Sequence, residues 1–169
     1  MEKKQPLRGK KLVIFSVLFA LFMVFLGYKM LFDTSDQANI ASIDRKIEKD
    51  KALSQFDKGL EFYDQKKYVE ASRYFQESLN NGFLVAHALL GECKLHLHDL
   101  KSAEYHLVKA LAVKNGESEL TGYYSGVEFN LGVVYHLKKD NKNAVAHLQV
   151  AKKLGNKDAA IYLSKMRLN

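Results

Sequence analysis

Residues 131–151 read LGVVYHLKKDNKNAVAHLQVA. Gly132 precedes Ala144 by twelve residues, Leu148 follows Ala144 by four, and Ala151 follows it by seven. The same spacings recur twice upstream, in Gly59, Ala71, Phe75 and Ser78, and in Gly91, Ala103, Leu107 and Ala110. Apolar residues three and four apart predict helices. Lys138-Lys139-Asp140-Asn141, between Gly and Ala, predicts a turn. Each window is therefore a helical hairpin. Gly on the first helix and Ala on the second allow a close crossing, because neither carries a long side chain. The apolar residue after Ala fills the space between repeats, and the small residue after it lets the next pair stack. A single hairpin cannot bury its apolar face alone, so the hairpins form a solenoid.

Working outward, Asp64-Gln65-Lys66-Lys67 and His98-Asp99 occupy the matching turns of the other two repeats. Asn80-Asn81-Gly82, Asn115-Gly116 and Gly155-Asn156 separate one hairpin from the next, with Gly or Asn supplying left-handed caps. Residues 115–126 read as a longer connection rich in Gly, Ser and Tyr. Residues 157–167 predict a capping helix that buries Ile161 and Leu163 and leaves Lys157, Lys165 and Arg167 in water.

Leu131-Gly132-Val133-Val134-Tyr135 resembles the L-G-x-x-Y signature of tetratricopeptide repeats, and Ala144-x-x-x-Leu148 the A-x-x-x-F that follows it. Lys58-Gly59-x-x-Phe62 and Leu90-Gly91-x-x-Lys94 are looser matches. The characteristic Trp and terminal Pro are missing, and successive glycines stand 32 and 41 residues apart. That unequal spacing, with Gly82-x-x-x-Ala86 and Gly155-x-x-x-Ala159, is also similar to the Sel-one-like branch of the superfamily. The resemblance covers about residues 52–168. It implies that the first helices of the hairpins line a groove for a protein partner. Carried over by offset from the three glycines, the partner-binding candidates are Phe56, Leu60 and Tyr63; Leu89, Glu92 and His96; and Phe129, Asn130, Val133 and His136. Tyr63 and Phe129 are the expected anchors. Chaperone-binding members of the family grip a C-terminal carboxylate with Lys, Asn and Arg. Here only Asn130 fits, and Phe56, Val85 and Leu89 replace the basic positions.

A different pattern opens the chain. Residues 12–32 read LVIFSVLFALFMVFLGYKMLF, with no charge from Leu12 to Tyr28. At ~1.5 Å per residue the run is about 31 Å long, close to a hydrocarbon thickness of ~30 Å. It is apolar on every face, unlike the one-sided helix of a soluble core. No small-x-small site follows it, as a cleaved signal peptide requires. Lys3, Lys4, Arg8, Lys10 and Lys11 precede it, which places the N-terminus in the cytoplasm by the positive-inside rule. Residues 33–39, DTSDQAN, read as a spacer, and Ile40, Ile43 and Ile47 predict a weak amphipathic helix behind it. The predicted fold is all-α. A basic tail (1–11), a transmembrane helix (12–32) and a partly helical linker (33–51) precede an α-solenoid of about three repeats with a C-terminal capping helix (52–169).

The formal charge of +7 is concentrated at the N-terminus. Residues 33–169 carry 20 bases against 18 acids, a net of +2, so phosphate-backbone binding has no support and no nucleic-acid partner is expected. Cys93 is the only cysteine, which excludes an internal disulfide and a four-cysteine zinc site. His96 and His98 are two apart and do not share a helix face, while Cys93 and His96 would need two more ligands. His106 and His147 each follow their repeat's Ala by three, where repeat one has Tyr74, so a repeated structural role is expected. No P-loop, dinucleotide fingerprint, zincin motif or nucleophile elbow is present. The expectation is a non-enzymatic, cofactor-free interaction scaffold or assembly factor of a cell-envelope complex. It sits in a bacterial inner membrane with its repeats in the periplasm. The alternative is a chaperone-like adaptor that holds unfolded clients.

Overall fold

The computed structural model describes residues 8–113 and 121–166, and gives backbone alone for 8–17, 31–35 and 121. The described residues form seven helices, with no strand among them. They are α1 (Arg8–Asp64), α2 (Tyr68–Asn80), α3 (Ala86–His96), α4 (Leu100–Ala112), α5 (Thr121–Leu137), α6 (Asn141–Lys153) and α7 (Lys157–Met166). The chain divides into two compact units, Met1–Lys46 and Ile47–Asn169.

In the first unit the backbone is helical from Arg8 onward, so the expected spacer at 33–39 is helix. Side chains are described for residues 18–30 of the apolar run. Leu21, Phe22, Met23, Val24 and Phe25 are consecutive and each more than half exposed, so apolar surface covers the whole circumference. Among the described residues no helix is long and apolar enough to cross a membrane.

The second unit is the repeat array. The last turns of α1 pair with α2, α3 pairs with α4, and α5 pairs with α6. Each hairpin packs on the next, and α7 packs on α6. The repeat glycines are the points of closest approach, but the residue they accommodate differs from the expected alanine. A Cβ on Gly59 would lie 2.5 Å from the Phe75 ring, one on Gly91 2.7 Å from Leu107 Cγ, and one on Gly132 2.5 Å from Leu148 Cγ. The large residue four positions after each Ala therefore fills the space over its own repeat's glycine. Phe75, Leu107 and Leu148 are wholly buried there. The small residues Ser78, Ala110 and Ala151 are also wholly buried, and the Ser78 hydroxyl donates to the Ala52 carbonyl at 2.8 Å.

Five helices end in one hydrogen-bond pattern. At the end of α2 the Gly82 N–H donates to Leu79 O and the Phe83 N–H to Ser78 O. The same paired bonds close α1, α3, α5 and α6. The second residue past each of these helices is left-handed, a conformation that favours glycine. Glycine is present at Gly82 and Gly155, but Lys66, His98 and Lys139 take φ of 59°, 59° and 64° in the three turns inside the hairpins. Asp99 and Asp140 then cap α4 and α6, accepting from the Ser102 and Asn143 N–H groups. Hydrogen bonds from the Ser102 side chain and then its N–H lower the Asp99 carboxyl's pKa, and those from the Asn143 N–H and then its side chain lower that of Asp140.

The cap Asn115-Gly116 and Arg167 lie outside the described residues. The capping helix buries Ala159 and Leu163, whereas Ile161 is 53% exposed and Tyr162 and Met166 take the packing positions expected of it.

Candidate functional site

The long connection expected at 115–126 is shorter than its composition suggests, because α5 already begins at Thr121. Its first turns carry Gly122 and Gly126, four apart and so on one helix face. Among the described residues a Cβ at either position would meet nothing within 4 Å, although both glycines are helical. That face forms one wall of a groove of about 290 Å³. The opposite wall comes from Phe56 on α1 and from Val85, Ala88, Leu89 and Glu92 at and within α3. Tyr123, Val127 and Asn130 complete the α5 side.

Of the ten residues singled out from the sequence, Phe56, Leu89, Glu92 and Asn130 line this groove. The other six lie elsewhere. Leu60 packs on the core of Ala71, Phe75 and Leu90. Tyr63 packs there too, and its hydroxyl donates to Glu92 Oε1 at 2.6 Å. Burial, and then the Glu92 carboxylate, push that hydroxyl's pKa well above the ordinary range. Tyr63, an expected anchor, thus ties repeat one to repeat two. His96 stacks on Tyr68 with centroids 4.2 Å apart. Phe129 and His136 meet the Tyr162 ring edge-on, at 6.0 and 5.6 Å, so the capping helix covers them. Val133 is half-buried on α5 and is not among the groove's lining residues. The offsets place residues on the first helices correctly, but only one face of each helix is left open.

Among the described residues Glu92 is the only charged side chain lining the groove, and no described Lys, Arg or His lines it. The Tyr123 hydroxyl is buried with no hydrogen-bond partner among the described residues. Burial raises its pKa to about 12, so it stays a donor. Tyr124, in contrast, donates to Val113 O at 2.6 Å.

The histidines fill a second set of equivalent positions. Nineteen residues separate His87 from His106 and Glu128 from His147, and both pairs join the first helix of a repeat to its second. His147 Nδ1 lies 2.6 Å from Glu128 Oε2, and His87 Nδ1 lies 3.0 Å from His106 Nδ1. His147 also stacks on Tyr135, as Tyr74 stacks on Phe62, each with centroids 5.2 Å apart. Repeat two has Lys94 in place of that aromatic, and His106 turns to His87 instead. Burial, and then the His87 ring, bring the His106 pKa down to about 4. Among the described residues no three His, Cys, Asp or Glu side chains are arranged to hold a metal ion. Cys93 is wholly buried, and burial pushes its thiol up to about 12.

No protein-family model matches the chain, and no curated protein matches it. Among solved structures it is similar to the first TPR of Spaghetti (RPAP3) bound to HSP90 peptide SRMEEVD, at 20% identity and a TM-score of 0.61. The match covers 71% of this chain and 93% of that one. The fold of this chain is accordingly TPR-like, an all-α array of helical hairpins.

Proposed function

We propose that this protein is a non-catalytic, membrane-anchored scaffold or assembly factor that holds a partner polypeptide in the groove between α1, α3 and α5. The observation that carries the reading is the groove itself: apolar walls, and two helical glycines with no described residue at their Cβ positions. The structural neighbour was solved with a peptide, which supports a polypeptide as occupant. The anchor is residues 12–32. Its support is the uncharged run from Leu12 to Tyr28 and the circumferential exposure of its described side chains. Five bases before the run favour a cytoplasmic N-terminus, with the repeats in the periplasm of a bacterial envelope. Within the superfamily, the unequal glycine spacings favour the Sel-one-like branch.

Crosslinking in native membranes followed by pull-down tests the reading. One dominant partner, lost on Gly126→Leu, is expected. A broad ladder of clients would favour the chaperone-like adaptor, and a partner retained by that variant would move the interface away from the groove. A reporter active only in the periplasm, fused after Asn169, should be active. A silent reporter on a well-expressed chain would overturn the orientation.

A further inference from the structure

Three repeat glycines are explained by packing, since a Cβ on Gly59, Gly91 or Gly132 would collide with a buried side chain. Gly82 and Gly155 are explained by their positive φ. Neither reason applies to Gly122 and Gly126. Both are helical, neither has a positive φ, and among the described residues nothing occupies either Cβ position. Glycine inside a helix costs ~1 kcal/mol relative to alanine, so the pair weakens α5 without serving its packing. What the two glycines do provide is a bare strip of backbone along one wall of the groove.

The electrostatics of the groove have one sign. The Glu92 carboxylate receives a neutral donor, the Tyr63 hydroxyl, and among the described residues no cation lines the groove with it. A carboxylate in a partly apolar site is best completed by a cation. An acidic ligand would meet repulsion there. The volume, about 290 Å³, lies at the lower end of ligand pockets, ~300–1,000 Å³, which suits one or two side chains.

Building on the groove reading, we propose that the groove takes an internal partner segment carrying an apolar side chain beside a lysine or arginine. The apolar side chain packs between Phe56, Leu89 and Val127, and the cation pairs with Glu92. The partner backbone lies along Gly122 and Gly126. The peptide held by the structural neighbour, SRMEEVD, sets one arginine, beside its methionine, against two glutamates and a terminal aspartate, so its net charge is acidic.

The test uses the full chain in detergent and fluorescent peptides with blocked ends. One carries Phe-Leu between lysines, and a second carries Phe-Leu between glutamates. The third carries Phe-Leu between glutamates and ends in a free carboxylate. The lysine peptide is expected to bind at least about tenfold more tightly than either acidic one. Glu92→Gln keeps an acceptor oxygen for Tyr63 but removes the charge, and should bring the lysine and glutamate peptides to similar affinity. Gly126→Leu should abolish binding without lowering the melting temperature. If an acidic peptide binds as well as the lysine peptide and Gly126→Leu blocks both, the groove reading stands and the cationic inference falls. A lysine preference that survives Glu92→Gln overturns the inference as well. If no peptide shows binding that Gly126→Leu removes, both fall.

Discussion

The two faces of α5 differ in what they do with glycine. At Gly132 the missing Cβ is filled by Leu148, and Ala144 O would lie only 3.2 Å from it, so the helix is locked against α6. At Gly126, less than two turns away, nothing occupies the same space. One glycine is a packing requirement and the other an opening. Glycine content alone does not separate them, whereas the partner residue sixteen positions downstream does. Gly132, Gly91 and Gly59 each have a large apolar residue at that offset, Leu148, Leu107 and Phe75, while Gly126 has Lys142.

The contrast can be broken most forcefully at the closed face. Gly132→Leu should destabilise the array by about 3 kcal/mol, the upper end of usual overpacking costs. Combining it with Leu148→Ala should cost less than the sum of the two single changes, because the second vacates the space the first needs. Chemical denaturation of the four proteins checks this, and strict additivity would refute the contact. Tyr63→Phe comes next. It removes a hydrogen bond to a carboxylate, typically worth about 1.5–3 kcal/mol, and its half-buried position puts it near 1.5. Its effect should appear in stability, with peptide affinity changed far less than by Gly126→Leu. Asp99→Ala, which removes a cap remote from both faces, should cost about 1 kcal/mol.

At the open face the sign reverses. Gly126→Ala should stabilise by about 0.5–1 kcal/mol, since the methyl meets no neighbour and the unfolded chain loses freedom. A lower melting temperature would mean that the open space is not open. The smallest effect is a pH slope. His87 and His106 are both lowered, chiefly by burial, and face Lys109, Lys94 and Asp99 as well as each other. Below about 6.5 the unfolded chain binds protons that folded His106 refuses, so stability falls as pH drops toward 4. His106→Gln should flatten that slope when urea midpoints are compared across the range, and an unchanged slope would assign it elsewhere.

The hairpins were legible because their signal is redundant: three copies of one spacing, each made of residues whose size matters. The pairing inside each copy was less so. The sequence suggested glycine against alanine, but the ring or branch four residues later reaches back over the glycine, as side-chain direction on a helix dictates. The three hairpin turns gave no glycine to find, because lysine and histidine adopt the left-handed conformation there. The start of α5 was hidden by its own composition, since Thr121-Gly122-Tyr123-Tyr124-Ser125-Gly126 has weak helix propensity and contact with neighbouring helices decides its state. That misreading concealed half of the groove. Four of its lining residues followed from repeat offsets, but Gly122, Tyr123, Gly126 and Val127 required the true start of the helix. The Gly-x-x-x-Gly spacing was the available signal. Tyr63 and Phe129, named as anchors by offset, pack against neighbouring repeats instead of lining the groove, because offset identifies a helix while the neighbouring repeat determines which of its faces is covered.

The nineteen-residue pairs give the array an uneven response to acid. Repeat three holds a carboxylate against an imidazole, repeat one has Gln55 and Tyr74 at the same offsets, and repeat two sets two imidazoles together. A linear stack in which each unit leans on its neighbours ordinarily frays from its ends. Here the unit least tolerant of protons is the central one, so acidification would part the stack from within and leave the outer repeats without a common neighbour. The groove draws its walls from α1, α3 and α5, one helix from each repeat, so its lifetime in acid would be that of its middle member.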